Sequence, residues 1–232
     1  MKIVTWNCNG AFRKKFHLIE GLDADVLAIQ ECEDPAQFIG KYSAWAKNYL
    51  WTGTNKNKGI GVFIRNDYFT LNKLDYNDDG LQLFLPCRIN DSVILIAVWT
   101  KQSETRAFRY IGQVWKYLQL HKNKLEHDPI VICGDFNSNV CWDKRHRPSN
   151  HSDVVRELGK IGIHSLYHEL MKENQGEESI PTLYMHRKLA KPYHIDYDFI
   201  SKDLLGPEYS FEVGRHEIWL QHSDHMPLIF SL

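Results

Sequence analysis

The sequence predicts an α/β fold in which two β-sheets pack face to face with helices on the outside. Eight short runs rich in Val, Ile, Leu and aromatic residues are typical of strands, because Gly, Asn or Asp bounds them. Helical periodicity interrupts these runs, and three runs in the middle of the chain are spaced like hairpins. Strands and helices that intermix in this way favour a mixed sheet system covered by helices.

The predicted strands differ in how polar residues are distributed along them. Most alternate or end on polar groups, whereas Val93–Trp99 is continuously apolar, as expected for a strand that is covered on both faces. The three runs that form hairpin-like pairs lie between residues 59 and 99. The full set of predicted strands is 2–7, 25–31, 59–65, 81–89, 93–99, 129–136, 195–201 and 225–231.

Helical periodicity is clearest over residues 104–125. Apolar residues recur there at spacings of three and four, so that they share one helix face. This apolar stripe consists of Ala107, Ile111, Val114, Trp115 and Leu118.

Two further helices are predicted from capping signals. Asp34–Pro35 has the cap-then-proline sequence that begins a helix, with Phe38 and Trp45 facing inward. Either Asn150 or Ser152 would cap the other helix. Its inward residues are Val154, Val155, Leu158 and Ile161.

Composition places the chain among ordinary soluble globular proteins. Of its 232 residues, 43% are hydrophobic and 25% are charged, and the net charge is −1. No repeat, low-complexity tract or linker-like stretch interrupts it, so we expect a single domain over residues 1–232. The five cysteines are odd in number and include no CxxC pair, which indicates buried free thiols in a reducing compartment. No apolar run approaches about 18 residues, so we expect a cytoplasmic protein without membrane contact.

Several predicted strands end on carboxylate, amide or imidazole groups. If these strands share one core, their ends can bring such groups together into a site for a hard cation and a phosphate. Each group is also compatible with an ordinary turn or helix cap, and only their joint occurrence indicates a site. The residues are Asn7, Glu31, Asp135, Asn137 and Asp224–His225.

Two carboxylates also lie within an apolar strand. Asp196 and Asp198 share one face of the run 195–201, where an unpaired carboxylate would be costly. If one of them contacts a histidine, both groups are satisfied and the imidazole tautomer is determined.

Five segments resemble the endonuclease/exonuclease/phosphatase superfamily. They occur in the order found in that superfamily and span nearly the whole chain: TWNCNG (5–10), DVLAIQE (25–31), GDFNSN (134–139), HIDYDFIS (194–201) and SDH (223–225). The resemblance implies a four-layer α/β sandwich of the DNase I type, with two mixed β-sheets packed face to face and the active site at the strand ends.

The resemblance also implies roles for the polar residues. Glu31 is similar to the metal-binding glutamate, with Asn7 close to the metal and the phosphate and Asp224 beside the metal. The implied ion is Mg²⁺, for which Mn²⁺ can substitute. Asp135 resembles the aspartate that orients or deprotonates the attacking water, and Asn137 the residue that holds that water and the phosphate. His225 resembles the histidine that contacts the phosphate, with Asp196 as its carboxylate partner.

These residue types suit the hydrolysis of a phosphodiester by in-line attack of water, without a covalent enzyme intermediate. A phosphodiester is an anion that repels hydroxide, so hydrolysis needs charge neutralisation and an aligned water. Asp135 has the chemistry of a general base. We therefore expect a metal-dependent phosphodiesterase of the nuclease type.

The distribution of basic residues favours DNA as the substrate. Short basic groups follow or precede the polar strand ends, at 13–15, 101–109, 144–147 and 187–191, whereas acidic residues cluster at 75–79 and 173–178. A basic rim around a metal cleft suits a polyanion, and aromatic residues near it can stack on bases. The expected substrate-binding residues are Trp99, Lys101, Arg109, Trp142, Arg145, Arg187 and Tyr193.

Other functions remain open at this point. Leu183 and Tyr193 stand where abasic-site endonucleases usually have Phe and Trp, and His194 replaces a basic residue, which puts abasic-site specificity in doubt. A phosphatase or phosphodiesterase acting on a phosphoinositide, a phospholipid or another small phosphoester is the main alternative. A catalytically inactive binding module is another. Nothing in the sequence indicates an obligate protein partner.

Overall fold

The computed structural model describes residues 1–76, 80–81, 83–105, 108–206 and 208–232. Within these ranges, twelve strands form two six-stranded sheets, and two strands of two residues each form a separate pair. The strands are β1 (Lys2–Asn7), β2 (Val26–Cys32), β3 (Asn48–Asn55), β4 (Lys58–Ile64), β5 (Leu71–Lys73), β6 (Phe84–Ile89), β7 (Val93–Trp99), β8 (Ile130–Asp135), β9 (Ile163–Ser165), β10 (Leu183–Tyr184), β11 (Pro192–Tyr193), β12 (Asp196–Ser201), β13 (Ser210–Val213) and β14 (Leu228–Ser231).

The described helices are short, except for two. They are α1 (Phe16–Glu20), α2 (Lys41–Trp45), α3 (Ile111–Leu125), α4 (His151–Lys160), α5 (Leu166–Met171) and α6 (His216–Trp219). None of the helices in the described ranges is long and apolar enough to cross a membrane.

Both large sheets are mixed. The first has the strand order β13-β14-β1-β2-β4-β3, and the second has the order β5-β6-β7-β8-β12-β9. Only β1–β2 and β7–β8 pair in parallel among the named strands, and all the other pairs are antiparallel. The predicted fold class is therefore confirmed at the level of the sheets.

The hydrophobic residues form three layers of packing, which makes the fold a four-layer sandwich. Between the sheets, apolar side chains such as Ala28 and Val62 meet Leu95 and Val131. Helices α3 and α4 cover the outer face of the second sheet, and α1, α2 and α6 cover that of the first. Burial of these faces is the main stabilising contribution to such a sandwich.

The helix boundaries differ from the sequence prediction in two places. The predicted helix 104–125 begins only at Ile111, because Tyr110 before it has a positive φ of 51°; Ala107 lies outside the described residues. The helix expected after Asp34–Pro35 is a short 3₁₀ turn followed by α2, and Gly40 with φ 134° separates the two. The third predicted helix is α4, and Asn150 is its N-cap.

Other differences concern strands. The predicted strand 225–231 begins at Leu228, because Pro227 has no N–H to give to the ladder. The sequence prediction missed β3, a half-exposed edge strand, and the short strands β5, β9, β10, β11 and β13. All five cysteines are free, and four of them are buried, whereas Cys141 is exposed.

Candidate active site

The strand pairing brings the polar strand ends to one edge of the sandwich. β1 and β8 both end there, at Asn7 and Asp135. β12 runs antiparallel to β8, so its first residue, Asp196, lies directly opposite Asp135 in the ladder. His225 precedes β14, which is the antiparallel neighbour of β1. Residues far apart in sequence therefore meet because of sheet order.

Asp135 is held by amide donors from two segments. Its Oδ2 accepts hydrogen bonds from Asn7 Nδ2 at 2.9 Å and from Asn137 Nδ2 at 2.8 Å. Its Oδ1 accepts one from the backbone N–H of Asn137 at 2.9 Å. Asn137 has a φ of 46°, a turn conformation that directs its amide back toward Asp135 and toward Thr100 O, 3.0 Å away. Asp135 is 1% exposed, so these donors replace water around the carboxylate.

His225 and Asp196 form a buried pair on the other side of Asp135. The Nδ1 of His225 lies 2.9 Å and 3.0 Å from the two carboxylate oxygens of Asp196. Thr182 Oγ1 accepts a hydrogen bond from the backbone N–H of Asp196, and Ser223 Oγ accepts one from the backbone N–H of His225. These two bonds fix the backbone of the pair. Because Nδ1 faces Asp196, Nε2 is left toward the site, 4.0 Å from Asp135 Oδ2.

Burial and mutual charge shift the pKa values of this group. Burial raises the pKa of Asp135 to about 7, an effect that the charge of His225 opposes and that of Asp196 increases. Burial disfavours the charged form of His225, but the carboxylates of Asp196 and Asp135 outweigh burial and raise its pKa to about 10. The site therefore holds an imidazolium beside a carboxylate that can take up a proton near neutral pH.

Glu31 extends from an irregularity in the first sheet. The register between β2 and β4 shifts between Gln30 and Cys32, and Glu31 at this point has a φ of 61°. Such a bulge redirects a side chain at the end of a ladder. The carboxylate forms an ion pair with Lys58, whose Nζ lies 2.5 Å from Glu31 Oε2.

Asp224 lies on the loop before β14. Its Oδ1 accepts a hydrogen bond from Asn9 Nδ2 at 2.8 Å, and the Oδ1 of Asn7 accepts the backbone N–H of Asn9 at 3.0 Å. Asn9 thus connects two of the three residues expected near the metal. Carboxylates and an amide oxygen are the donors that a hard cation such as Mg²⁺ prefers, so Glu31, Asp224 and Asn7 fit such an ion.

A different set meets a simple distance criterion for metal ligands. In the described part of the chain, one group of three His, Cys, Asp or Glu residues has ligand atoms within 4.8 Å of one another, namely Asp135, Asp196 and His225. Glu31 and Asp224 belong to no such group there. We favour a different role for the histidine, because an imidazolium with its Nδ1 on Asp196 has no free lone pair for a metal.

The structure buries Trp99, one of the predicted substrate-binding residues. This residue ends β7, where it was expected to bind substrate, but its side chain is only 4% exposed and belongs to the core between the sheets. The ammonium group of Lys101 lies 3.7 Å from the centre of its ring. Trp99 therefore supports Lys101 and offers no face to a base.

The basic rim is smaller than the sequence indicates. Arg13 forms an ion pair with the buried Glu33, and the Nζ of Lys15 donates to Cys8 O and His222 O at 2.6 Å and 2.7 Å. Both cations are therefore engaged in contacts within the protein. Arg106 lies outside the described residues.

The remaining expected substrate-binding residues lie at or near the surface. Trp142 and Tyr193 form an aromatic pair with ring centres 5.1 Å apart, and Arg145 and Arg187 are exposed. Arg109 and Trp142 line a cavity of about 400 Å³, which also touches Asn137 and Leu183. This cavity therefore adjoins the group around Asp135.

Sequence reasoning missed the residues that support the site. Lys58, Asn9, Thr182 and Ser223 contact Glu31, Asp224, Asp196 and His225 respectively. Asn9 and Ser223 lie inside the quoted motifs, so the motif positions were a usable signal for them. Lys58 and Thr182 lie in no motif, and only the tertiary contacts reveal them.

Comparison with known proteins gives a family match and several similar folds. A model of the Endonuclease/Exonuclease/phosphatase family matches residues 4–176. None of the curated proteins matches the chain. A 3′-5′ exonuclease (NExo) from Neisseria meningitidis is 16% identical with a TM-score of 0.74, covering 100% of this chain and 99% of that chain.

Two further structures have the same extent of overlap. A 3′ phosphatase NExo from Neisseria, bound to a product DNA hairpin, is 16% identical with a TM-score of 0.73, covering 100% of this chain and 99% of that chain. An AP endonuclease from Archaeoglobus fulgidus is 18% identical with a TM-score of 0.66 and the same coverage, 100% and 99%. At these identities the likeness concerns the fold.

Proposed function

The chain belongs to the Endonuclease/Exonuclease/phosphatase family and is thus a hydrolase of phosphodiester bonds, and we propose that it is a divalent-metal-dependent nuclease that acts on DNA. The observation that carries the proposal is the group around Asp135. A buried carboxylate held by Asn7 and Asn137 faces a histidine whose other nitrogen is bound to Asp196. A base and a cationic donor on either side of a small space suit a phosphate and an attacking water.

In this proposal Asp135 is the general base. Its three N–H donors hold the carboxylate in one orientation, so that it can align a water and take a proton from it. The water attacks phosphorus in line, and the bond to the leaving ester oxygen breaks without a covalent enzyme intermediate. Asn137 also orients the water through its Oδ1, because both of its Nδ2 hydrogens already donate, to Thr100 O and to Asp135 Oδ2. Asn7 Nδ2 donates one hydrogen to Asp135 and can give the other to a phosphate oxygen.

His225 contacts the phosphate in this proposal. Asp196 holds the imidazolium through Nδ1, so that Nε2–H points into the site as a preorganised donor to a phosphate oxygen. The cation opposes the negative charge that develops on that oxygen.

The metal site of this proposal consists of Glu31, Asp224 and Asn7. These oxygen donors would hold Mg²⁺, or Mn²⁺ in its place. The bound ion would supply charge neutralisation at the phosphate and at the leaving oxygen. The residues themselves are positioned without it, Glu31 by its bulge and Asp224 by Asn9.

DNA is proposed as the substrate on two grounds. The cations that remain exposed, such as Lys144, Arg145 and Arg187, suit a polyanion, and Trp142 and Tyr193 offer aromatic faces to bases. One structural relative holds a product DNA hairpin. Because that relative is named both a 3′ phosphatase and a 3′-5′ exonuclease, removal of a phosphate from a DNA 3′ end is a second candidate activity.

A substrate panel tests the proposal. The enzyme is assayed with Mg²⁺ and with EDTA on plasmid DNA, an abasic oligonucleotide, a 3′-phosphorylated oligonucleotide, RNA and soluble inositol phosphates. We expect metal-dependent turnover of DNA and little of inositol phosphates. Faster turnover of inositol phosphates than of every nucleic acid would overturn the choice of substrate.

The catalytic assignment has its own test. Asp135→Asn should keep the fold and its melting temperature and reduce kcat by at least about 100-fold, since a general base contributes about that much. Asp203→Asn, in the surface turn Lys202–Leu204, is the matched control and should retain full activity. Substantial activity in Asp135→Asn would refute the assignment.

A further inference from the structure

Lys58 is a cation placed directly on the proposed metal ligand Glu31. It is the first residue of β4, next to the turn that connects β3 and β4. Its Nζ lies 2.5 Å from Glu31 Oε2, and the side chains of Lys58 and Glu31 are 48% and 17% exposed. The lysine can therefore leave the carboxylate without unfolding any element.

A second ammonium group lies near the same carboxylate. Burial lowers the pKa of Lys101, the charge of Glu31 opposes this shift, and the charge of Lys58 adds to it. Its position is held by the ring of Trp99, 3.7 Å from Nζ. The ammonium group of Lys101 thus lies within electrostatic range of a carboxylate that already pairs with Lys58.

A divalent ion and an ammonium group cannot both use Glu31 at full strength. Two positive charges a few Å apart repel each other, and the ammonium group of Lys58 already occupies Oε2 of Glu31. A metal that binds Glu31 therefore weakens its pair with Lys58. The end of the lysine side chain lies next to the loop that holds Asp224, since a Cβ on Gly10 would be 3.8 Å from Lys58 Cε and the preceding Asn9 bonds to Asp224.

We propose that Lys58 couples metal binding to phosphate binding: it neutralises Glu31 when no ion is present and transfers to a substrate phosphate when the ion takes its place. This inference rests on the proposed metal-dependent function. Phosphate that engages Lys58 removes the competitor from Glu31, so DNA tightens metal binding. By linkage, metal tightens DNA binding by the same factor.

A purely structural role for this ion pair is a weak alternative. A partly exposed Lys–Glu pair contributes only about 0–1 kcal/mol to stability. Loss of Lys58 should therefore leave the melting temperature nearly unchanged while it changes ligand binding. This contrast separates the two roles.

Calorimetric titration with Mn²⁺ tests the inference without relying on turnover. Lys58→Met should bind Mn²⁺ about two- to five-fold more tightly than the unchanged protein. This is the change in affinity expected when the partly exposed ion pair between Lys58 and Glu31 no longer competes with the metal. Lys56→Met, in the same hairpin, is the matched control and should bind Mn²⁺ as before. Glu31→Gln should lose the Mn²⁺ site.

The coupling is measured by repeating the titration with a DNA oligonucleotide present, in the Asp135→Asn background to prevent cleavage. DNA should raise Mn²⁺ affinity in that background by about two- to five-fold. The increase should be smaller when Lys58→Met is added, because only the direct attraction between the metal and the phosphate then remains. It should return in part with Lys58→Arg, which keeps the charge.

The outcomes distinguish this inference from the proposed function. Unchanged or weaker Mn²⁺ binding by Lys58→Met, with intact Mn²⁺-dependent cleavage of DNA by the unchanged protein, overturns the role of Lys58 alone. Equal effects of DNA on Mn²⁺ affinity with and without Lys58 also overturn it. Absence of Mn²⁺ binding together with metal-independent cleavage overturns both proposals.

Discussion

Four residues determine the protonation chemistry of the site: Asp135, Asn7, Asp196 and His225. All are at most 7% exposed, so the charges of Asp135, Asp196 and His225 act on one another with little screening by water. The pair Asp196–His225 keeps a positive charge in the site, and Asp135 keeps a base whose pKa is close to neutral. Phosphodiester hydrolysis needs both at once.

These two groups predict a bell-shaped dependence of kcat/KM on pH. Activity should rise as pH passes about 7, because Asp135 must lose its proton to act as a base. It should fall as pH approaches about 10, because His225 must stay protonated to donate to phosphate.

Asp196→Asn supplies the control for this profile. Without the Asp196 charge the pKa of His225 falls, so the alkaline limb should move to lower pH. The acid limb should also move to lower pH, because the Asp196 charge raises the pKa of Asp135. An alkaline limb that stays in place would contradict the assignment of His225.

At the scale of elements, the site depends on how closely β7 and β8 approach each other. These strands pair in parallel, with Val98 opposite Gly134, the residue before Asp135. Gly134 has a φ of 138°, and a Cβ there would lie 2.0 Å from Val98 O and 3.0 Å from Gln30 Nε2. Both the conformation and the space require glycine.

Gly134→Ala should therefore destabilise the protein by at least about 2 kcal/mol, since a strained φ and a backbone clash each cost about 1–3 kcal/mol. Chemical denaturation measures the change. Gly162→Ala is the matched control, because Gly162 has a φ of 73° but no heavy atom within 4 Å of the added Cβ. A smaller loss in Gly134→Ala than in Gly162→Ala would show that the clash is relieved.

At the scale of the whole molecule, the core between the sheets contains an unusual carboxyl group. Asp198 on β12 is fully buried, and neither of its carboxylate oxygens has a hydrogen-bond partner among the residues that the structure describes. Burial raises its pKa well above 3.8, so the folded protein holds this carboxyl in its neutral form. A charged carboxylate without a partner would be too costly in this environment.

Because of Asp198, the free energy of unfolding should decrease as the pH rises. Below pH 3.8 both states hold the proton, and above it the unfolded chain releases the proton while the folded protein keeps it. The free energy of unfolding should decrease by up to about 1.4 kcal/mol per pH unit until the pH reaches the pKa of Asp198 in the folded protein.

Asp198→Asn removes this proton and isolates the effect. The difference in unfolding free energy between the variant and the unchanged protein should shift in favour of the variant from pH 5 to pH 8. Any effect of the substitution that does not depend on pH is the same at both values and does not contribute to this shift. Urea denaturation at the two pH values measures the difference. A relative stability that is the same at both would mean that Asp198 is ionised in the folded protein.

The surface charge of the molecule predicts a salt-dependent interaction with DNA. Each phosphate contact contributes about 0.7–0.9 to the slope of log K against log salt. Arg145→Met should reduce the slope by about one contact, since Arg145 is exposed on the proposed binding surface. Lys2→Met, at the opposite end of β1 from Asn7, should leave the slope unchanged. Equal slopes for both variants would show that Arg145 does not contact the DNA phosphates.

Local sequence was sufficient for the buried strands and for the polar strand ends. Alternating and continuous apolar runs predict strands because burial of one or both faces depends only on side-chain spacing along a short segment. Asn7, Asp135 and Asp196 were recognisable for the same reason, since a polar group at the boundary of an apolar run needs a partner there. The start of α3 escaped prediction, because an apolar stripe carries no information about the positive φ of Tyr110.

Which groups actually meet was decided by sheet order and register. Lys58 contacts Glu31 through the pairing of β2 with β4, and Lys15 bonds to the carbonyls of Cys8 and His222 instead of joining the rim. Trp99 is buried because β7 is a central strand of the second sheet. These contacts join residues far apart in the chain, and their geometry results from packing of the whole sandwich, which no local pattern specifies.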